Sequence, residues 1–170
     1  MNKLTHQRLC EVLELDFQSY TFKWRYQPNV RSQFNGRYAG KLAGVTNGAG
    51  GLQIAIDRVR YKAHRLVWFY IHQEWPNGEL DHRDNNPYNN HIDNLRIATA
   101  AQNGQNKKIN KNNKSGYKGV WYCKKRDNYE VKIKLNGKSI YLGRYNTAEE
   151  AHKIYCEAAV KYHGEFARVA

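Results

Sequence analysis

The stretch GQNKKINKNNKSG, residues 104–116, constrains the fold more than any other part of this chain. Ile109 is its one large apolar side chain, and Lys and Asn fill most of the rest. Burying so many amides and ammonium groups without partners is costly, so no hydrophobic core can run through it. It reads as a solvated basic tether with a packed body on either side. The chain has 170 residues, enough for one medium domain or two small ones. Its 41% hydrophobic and 13% aromatic content supports packed cores rather than disorder.

The charge is uneven about the tether. Residues 1–100 carry 13 Lys+Arg against 9 Asp+Glu, net +4, whereas residues 101–170 carry 15 against 6, net +9. The total of +13 and a pI near 9.7 point to a polyanionic partner, and the C-terminal part is the stronger phosphate seeker. No apolar run approaches the roughly 18 residues of a membrane span. The N-terminal MNKLTHQRLCEVLELDF lacks an apolar signal core, so a cytoplasmic location is expected. Cys10, Cys123 and Cys156 lie far apart and form no C-x-x-C pair, so they read as reduced, packed thiols and not as a zinc knuckle.

Ahead of the tether, Thr5 to Leu15 has helical spacing at Leu9, Val12 and Leu13, with Thr5 as its cap. YTFKW, Tyr20 to Trp24, reads as a strand, and residues 27–51 as loops around short strands. LQIAI, Leu52 to Ile56, turns at Asp57-Arg58 into a return strand over Val59 to Ala63. HRLVWFYIH, His64 to His72, reads as a buried helix, followed by turn chemistry at Trp75 to Gly78. Beyond the tether, GYKGVWYC, YEVKIKL and KSIYLGRY read as three antiparallel strands, with Asn136-Gly137 a strong hairpin signal. Thr147 to Glu150 is a capping box, and Ala148, Ala151, Ile154, Tyr155, Ala158, Ala159 and Tyr162 repeat at helical spacing up to Gly164.

The segment LDHRDNNPYNNHIDNLRIATAAQN, Leu80 to Asn103, sets short polar side chains between two small apolar clusters. Glu79 to Asp81 ends one strand, Asn94 to Ala98 is its partner, and Thr99 with Gln102 caps a helix from Ala100. Strand, polar loop, strand and helix would gather Asp81, His82 and Asn103. A plain turn-rich loop would use the same residue types, and Asn85 to Asn90 are read as turn scaffold, with His64 and His91 as structural groups.

Asp81-His82, Asn94 in IDNLR and Asn103 in AAQN, preceded by AHRLVWFYIHQEWPNGELDH, resemble the signature of the HNH endonucleases. The subtype is that of phage and intron homing enzymes, in which Asn replaces the final His. The resemblance implies that Asp81 and Asn103 bind one divalent metal, Mg²⁺ with Mn²⁺ able to replace it, and no zinc. It implies that His82 is the general base and that Asn94 holds the loop and orients His82 through backbone contacts. A hard cation with two protein oxygens keeps open positions for water and phosphate, and an imidazole with an ordinary pKa near about 6.5 accepts a proton at neutral pH.

YKGV at 117–120, YLGRY at 141–145, TAEEAHKIY at 147–155 and HGEFA at 163–167 resemble the AP2 DNA-binding domain. That family lays a three-stranded sheet in the major groove with a helix behind it. Alternation supports this, since Val131, Ile133 and Leu135 share one face of a strand and Glu130, Lys132 and Lys134 the other. By motif alignment Lys118, Trp121, Tyr129, Lys132, Lys134 and Tyr141 fall at DNA-contact positions, with Lys124, Lys125 and Arg126 in the first turn. Lys and Tyr stand where plant members use Arg and Trp, so the module is expected to supply affinity more than base readout.

The expectation is therefore an α+β chain. A β-rich N-terminal segment (1–62) leads into a ββα-metal nuclease core (63–106). A basic linker (107–116) then precedes an AP2-like domain (117–170). The expected function is a metal-dependent homing endonuclease acting on double-stranded DNA. It would be phage-encoded, work in a bacterial host, and act as a monomer or homodimer with no membrane and no small-molecule cofactor. A non-cutting DNA-binding regulator and a restriction-type nuclease are the alternatives.

Overall fold

The computed structural model describes residues 4–46, 48, 50–110 and 112–169, so Lys111 of the tether lies outside the described residues. The chain divides into two compact units, 1–97 and 98–170. The division falls before the tether, because the short helix that precedes the tether packs with the second unit. Both units mix helices with small antiparallel sheets, as the α+β reading expects.

In the first unit, α1 (His6–Val12) starts at Thr5, whose side chain accepts the Arg8 N–H. The helix stops three residues earlier than its spacing predicts. Leu13 and Leu15 are buried instead through a strand, β1 (Leu13–Asp16), which pairs with β2 (Thr21–Trp24). The alternation BeBi buries the same two leucines that a longer helix would have buried. Residues read as loop contain a second helix, α2 (Ser32–Tyr38), which has no apolar stripe to announce it. It is held by buried Asn35, whose amide accepts from the Gln27 N–H at 2.9 Å and donates to the Gln27 carbonyl at 2.7 Å. Phe34 meets Trp24 edge to face at 5.5 Å.

A three-stranded sheet follows, in the order β3 (Val45–Thr46), β4 (Leu52–Ile56), β5 (Val59–Lys62). Asp57 and Arg58 both adopt positive φ, 49° and 68°, as the two-residue hairpin requires. Helix α3 (Ala63–His72) buries Ala63, Leu66, Val67 and Phe69, and ends at Gln73 in the left-handed region. Trp75 stacks on Phe69 at 4.3 Å. The core joins Leu9, Val12, Leu13, Phe22, Ile54, Leu66 and Val67 to Leu80 and Leu95. Those last two leucines seat β6 (Glu79–His82) and β7 (Leu95–Ala98), the two-stranded sheet that carries the polar loop.

The second unit opens with α4 (Ala100–Gln105), closed by the full Thr99–Gln102 capping box. Its sheet has the order β10 (Lys138–Tyr145), β9 (Asn128–Leu135), β8 (Val120–Cys123), all antiparallel. Asn136 and Gly137 take φ of 49° and 82° in the β9–β10 turn. Helix α5 (Ala148–His163) lies on one face, with Ala151 and Ala159 fully buried against Val120, Val131 and Ile133. Tyr162 is on the exposed side of the helix, and His163 takes the buried place, with its Nε2 donating to the Lys134 carbonyl at 3.0 Å. The approach is close at Gly119 (φ +74°), where a Cβ would stand 1.9 Å from the Tyr155 ring.

Candidate active site and candidate nucleic-acid interface

Strand β6 delivers Asp81 and His82 at its end, and β7 faces them with Arg96. Asp81 and Arg96 are both buried, each with 6% side-chain exposure. The guanidinium donates to Asp81 Oδ2 from Nε at 2.9 Å and from Nη2 at 2.8 Å. Two charges this far from water persist because each offsets the other's lost hydration and the hydrogen bonds are well made.

The His82 Nε2 lies 3.2 Å from Asn90 Oδ1, and Asn90 is 2% exposed. An amide oxygen only accepts, so Nε2 donates in this contact. The His64 ring stands edge-on to His82, with centroids 5.0 Å apart and planes at 89°. Burial pushes the His64 pKa down to about 3, helped by the charges of His82, Lys62 and Arg65, so its imidazole is neutral at working pH.

Asn94 fastens the loop on which these groups depend. Its carbonyl accepts the Arg83 N–H at 2.9 Å, immediately after His82. Its side-chain oxygen accepts the Asp84 N–H at 3.1 Å, and its Nδ2 donates to Asp84 Oδ1 at 3.0 Å and to the Asn89 carbonyl at 2.7 Å. Burial works against the Asp84 charge. The Asn86 N–H and the amides of Asn89 and Asn94 nevertheless hold its carboxyl below the usual range. Asn86 and Asn89 close further turns onto the N–H groups of Tyr88 and His91. Most of the asparagines here are turn scaffold, as expected, while Asn90 is drawn inward to His82. His91 accepts the Asp93 N–H and packs on Tyr20 at 4.3 Å, a structural use.

Asp81, His82 and Asn94 thus come together in the first unit. Asn103 lies on α4 of the second unit, half-buried, with its N–H on the Thr99 carbonyl. Three site residues were not anticipated. His64 carried only its place at the head of an apolar helix. Asn90 was one asparagine among several, and Arg96 had no local signal at all. Among the described residues no three His, Cys, Asp or Glu side chains gather as a metal cage. A cation at Asp81 would therefore complete its shell from amides, backbone, water or phosphate, which suits a hard ion and oxygen donors.

The second unit presents one exposed face of its sheet. Trp121 (52% exposed) and Tyr141 (50%) lie on it with Lys132 and Lys134. Lys124 and Arg126 are exposed in the β8–β9 turn. Two expected contact residues sit elsewhere. Tyr129 packs against the helix-facing core. Lys118 is half-buried, with its ammonium donating to the carbonyls of Gln105 and of Lys107, the latter at 2.9 Å. Burial, with the charge of Arg168, lowers the Lys118 pKa to about 8.

A strand pair ending in Asp-His with a capped helix after it, and a separate sheet with an exposed basic face, define a nuclease joined to a DNA-binding module. Family models agree on both counts: residues 61–105 match the HNH endonuclease model and residues 115–165 the AP2 domain model. The chain belongs to the HNH endonucleases and carries a C-terminal AP2 domain. It is 36% identical over 112 residues to Protein 3.8 of Escherichia phage T7, which covers 64% of this chain and 92% of the relative. It is 31% identical over 122 residues to an uncharacterized HNH endonuclease of Acanthamoeba polyphaga mimivirus, covering 71% of this chain and 63% of the relative. No solved structure matches it. No helix among the described residues is long and apolar enough to cross a membrane.

Proposed function

We propose that the protein is a site-specific, free-standing homing endonuclease that hydrolyses DNA phosphodiester bonds. The observation that carries this reading is the arrangement around His82: Asn90 fixes its tautomer, His64 bounds its ring, and Asn94 holds the loop beneath it. His82 Nδ1 takes a proton from water as the water oxygen attacks phosphorus. The bond from phosphorus to the 3′ oxygen breaks, and that oxygen takes a proton from a second water, leaving a 5′ phosphate and a 3′ hydroxyl. In the pattern of the HNH family, Asp81 and Asn103 would hold one divalent cation, Mg²⁺ or Mn²⁺ in its place. When bound, the cation polarises the phosphate and stabilises the leaving oxygen.

Residues 63–106 act as the cutting core, 107–116 as a basic linker and 117–170 as the module that binds beside the cut. The phage relative supports a phage-encoded enzyme working in the cytoplasm of a bacterial host. It acts as a monomer that nicks, or as a homodimer that cuts both strands.

The test is cleavage of supercoiled plasmid and of mixed genomic DNA, with Mg²⁺ or Mn²⁺, by wild type and His82→Ala, beside an EDTA control. Product from metal-loaded wild type alone is expected, relaxed circles for a nick and linear DNA for a double cut. His82→Ala should bind DNA within a few-fold of wild type. Cleavage by His82→Ala, or binding lost in step with cleavage, would overturn the assigned role. Tight binding with no cleavage of any DNA would favour a non-cutting regulator.

A further inference from the structure

The basic face of the second sheet has a carboxylate at its centre. Glu130 on β9 stands in register between Trp121 on β8 and Arg144 on β10. Its side chain is only 17% exposed. Oε1 accepts from Arg144 Nε at 3.0 Å and lies 3.6 Å from Arg126 Nη1, while Oε2 lies 3.4 Å from Lys132 Nζ. A negative charge here repels phosphate, so it weakens unspecific attraction to DNA. It braces the cations around it instead.

The brace depends on an irregularity in β10. Tyr141 pairs with Lys132, and Arg144 pairs with Glu130. Residues three apart on a regular strand point to opposite faces. The register shifts between Tyr141 and Gly143, which inserts Leu142 as an extra residue, and Gly143 takes φ +127°. This bulge turns Arg144 onto the same face as Tyr141. The guanidinium carbon then sits 5.8 Å from the Tyr141 ring centroid. Among the described residues Nε is the one guanidinium nitrogen of Arg144 engaged in a hydrogen bond, and it faces Glu130. The two terminal nitrogens form a fork on an arm held by a carboxylate and a ring.

We infer that Arg144, braced by Glu130 and Tyr141, reads guanine in the DNA bound by this sheet. The guanine major-groove edge offers O6 and N7, a spacing that a guanidinium fork meets with two parallel bonds. A free arginine would lose side-chain entropy on making them, whereas a braced one has already been ordered. Sharp base readout therefore resides in this face despite its preponderance of Lys and Tyr. The inference rests on DNA as the partner of this sheet.

The test is selection of bound sequences from a randomised duplex pool by the full chain, in EDTA to prevent cutting. Wild type is expected to prefer guanine at one position by about 10- to 100-fold. Arg144→Lys keeps the charge and should hold unselected DNA within about twofold, yet lose that preference while others survive. Glu130→Gln should relax the same position and bind unselected DNA more tightly. Thermal melting checks that both variants are folded. Guanine preference retained in full by either variant, relaxation at different positions, or a wild type that binds DNA without selecting any sequence would overturn the inference. Absence of any DNA binding by wild type would instead overturn the DNA partner itself, and this reading with it.

Discussion

The ring of His64 stands at a right angle to that of His82, 5.0 Å between centroids, with His64 held neutral by burial. One imidazole thus forms a wall for the other, from the head of α3 to the end of β6. Two charged imidazolium rings at this separation would repel each other.

The wall makes stability depend on acid. The His64 pKa is about 3 in the fold against an ordinary value near 6.5, so the unfolded chain binds this proton first. Its penalty is absent above pH 6.5 and grows as pH falls from there toward about 3. Urea denaturation of wild type and His64→Phe at pH 7 and pH 4.5 reads the difference. The variant should lose less stability over that interval, and equal losses would refute the shift.

Arg96 supports Asp81 at a cost that surfaces when it is removed. Arg96→Met should lower stability by about 3–5 kcal/mol, because a buried carboxylate is left without its countercharge. Adding Asp81→Leu should restore most of that loss while leaving cleavage absent. Denaturant midpoints and a plasmid assay separate the two effects. Additive losses would mean that the pair does not act as one unit.

Asn94 is bonded into the loop through its carbonyl and both ends of its side-chain amide. Asn94→Ala should reduce kcat by about 10–100-fold, the usual range for groups that orient a metal-site residue, with KM changed less than a few-fold. Amide exchange at Asp84 should accelerate, since its N–H donates to the Asn94 side chain. A loss confined to KM would place Asn94 at the substrate instead.

Two glycines in left-handed conformations should respond differently to alanine. Gly119→Ala forces a methyl into the Tyr155 ring and should destabilise the second unit by on the order of 3 kcal/mol or more. At Gly137 nothing lies within 4 Å, so alanine there should cost about 1 kcal/mol of backbone strain alone. Thermal melting compares them, and DNA affinity should fall only with the first.

Much of this architecture is local and was legible. The two-residue turns at Asp57-Arg58 and Asn136-Gly137, the Thr99–Gln102 cap and the apolar spacing of α3 and α5 all rest on rules acting within a few residues. The Asp-His pair and Asn94 were legible as a motif, and the Asn94 side chain donates to the Asn89 carbonyl. The end of α1 was not, because Leu13 and Leu15 are buried equally by a helix or a strand and only pairing with β2 decides between them. Helix α2 was not, because one buried asparagine replaces an apolar stripe.

By itself, then, the sequence determined the kind of protein: a nuclease motif, a basic DNA-binding module and the elements that carry them. The tertiary structure alone decided which groups serve the motif. Arg96 reaches Asp81 across 15 residues, His64 reaches His82 across 18, and a one-residue bulge sets the face of Arg144. Dihedral preferences, caps and spacing are encoded in neighbouring residues. The partner of a buried charge or ring is chosen by the packing of whole elements, which no short window of sequence contains.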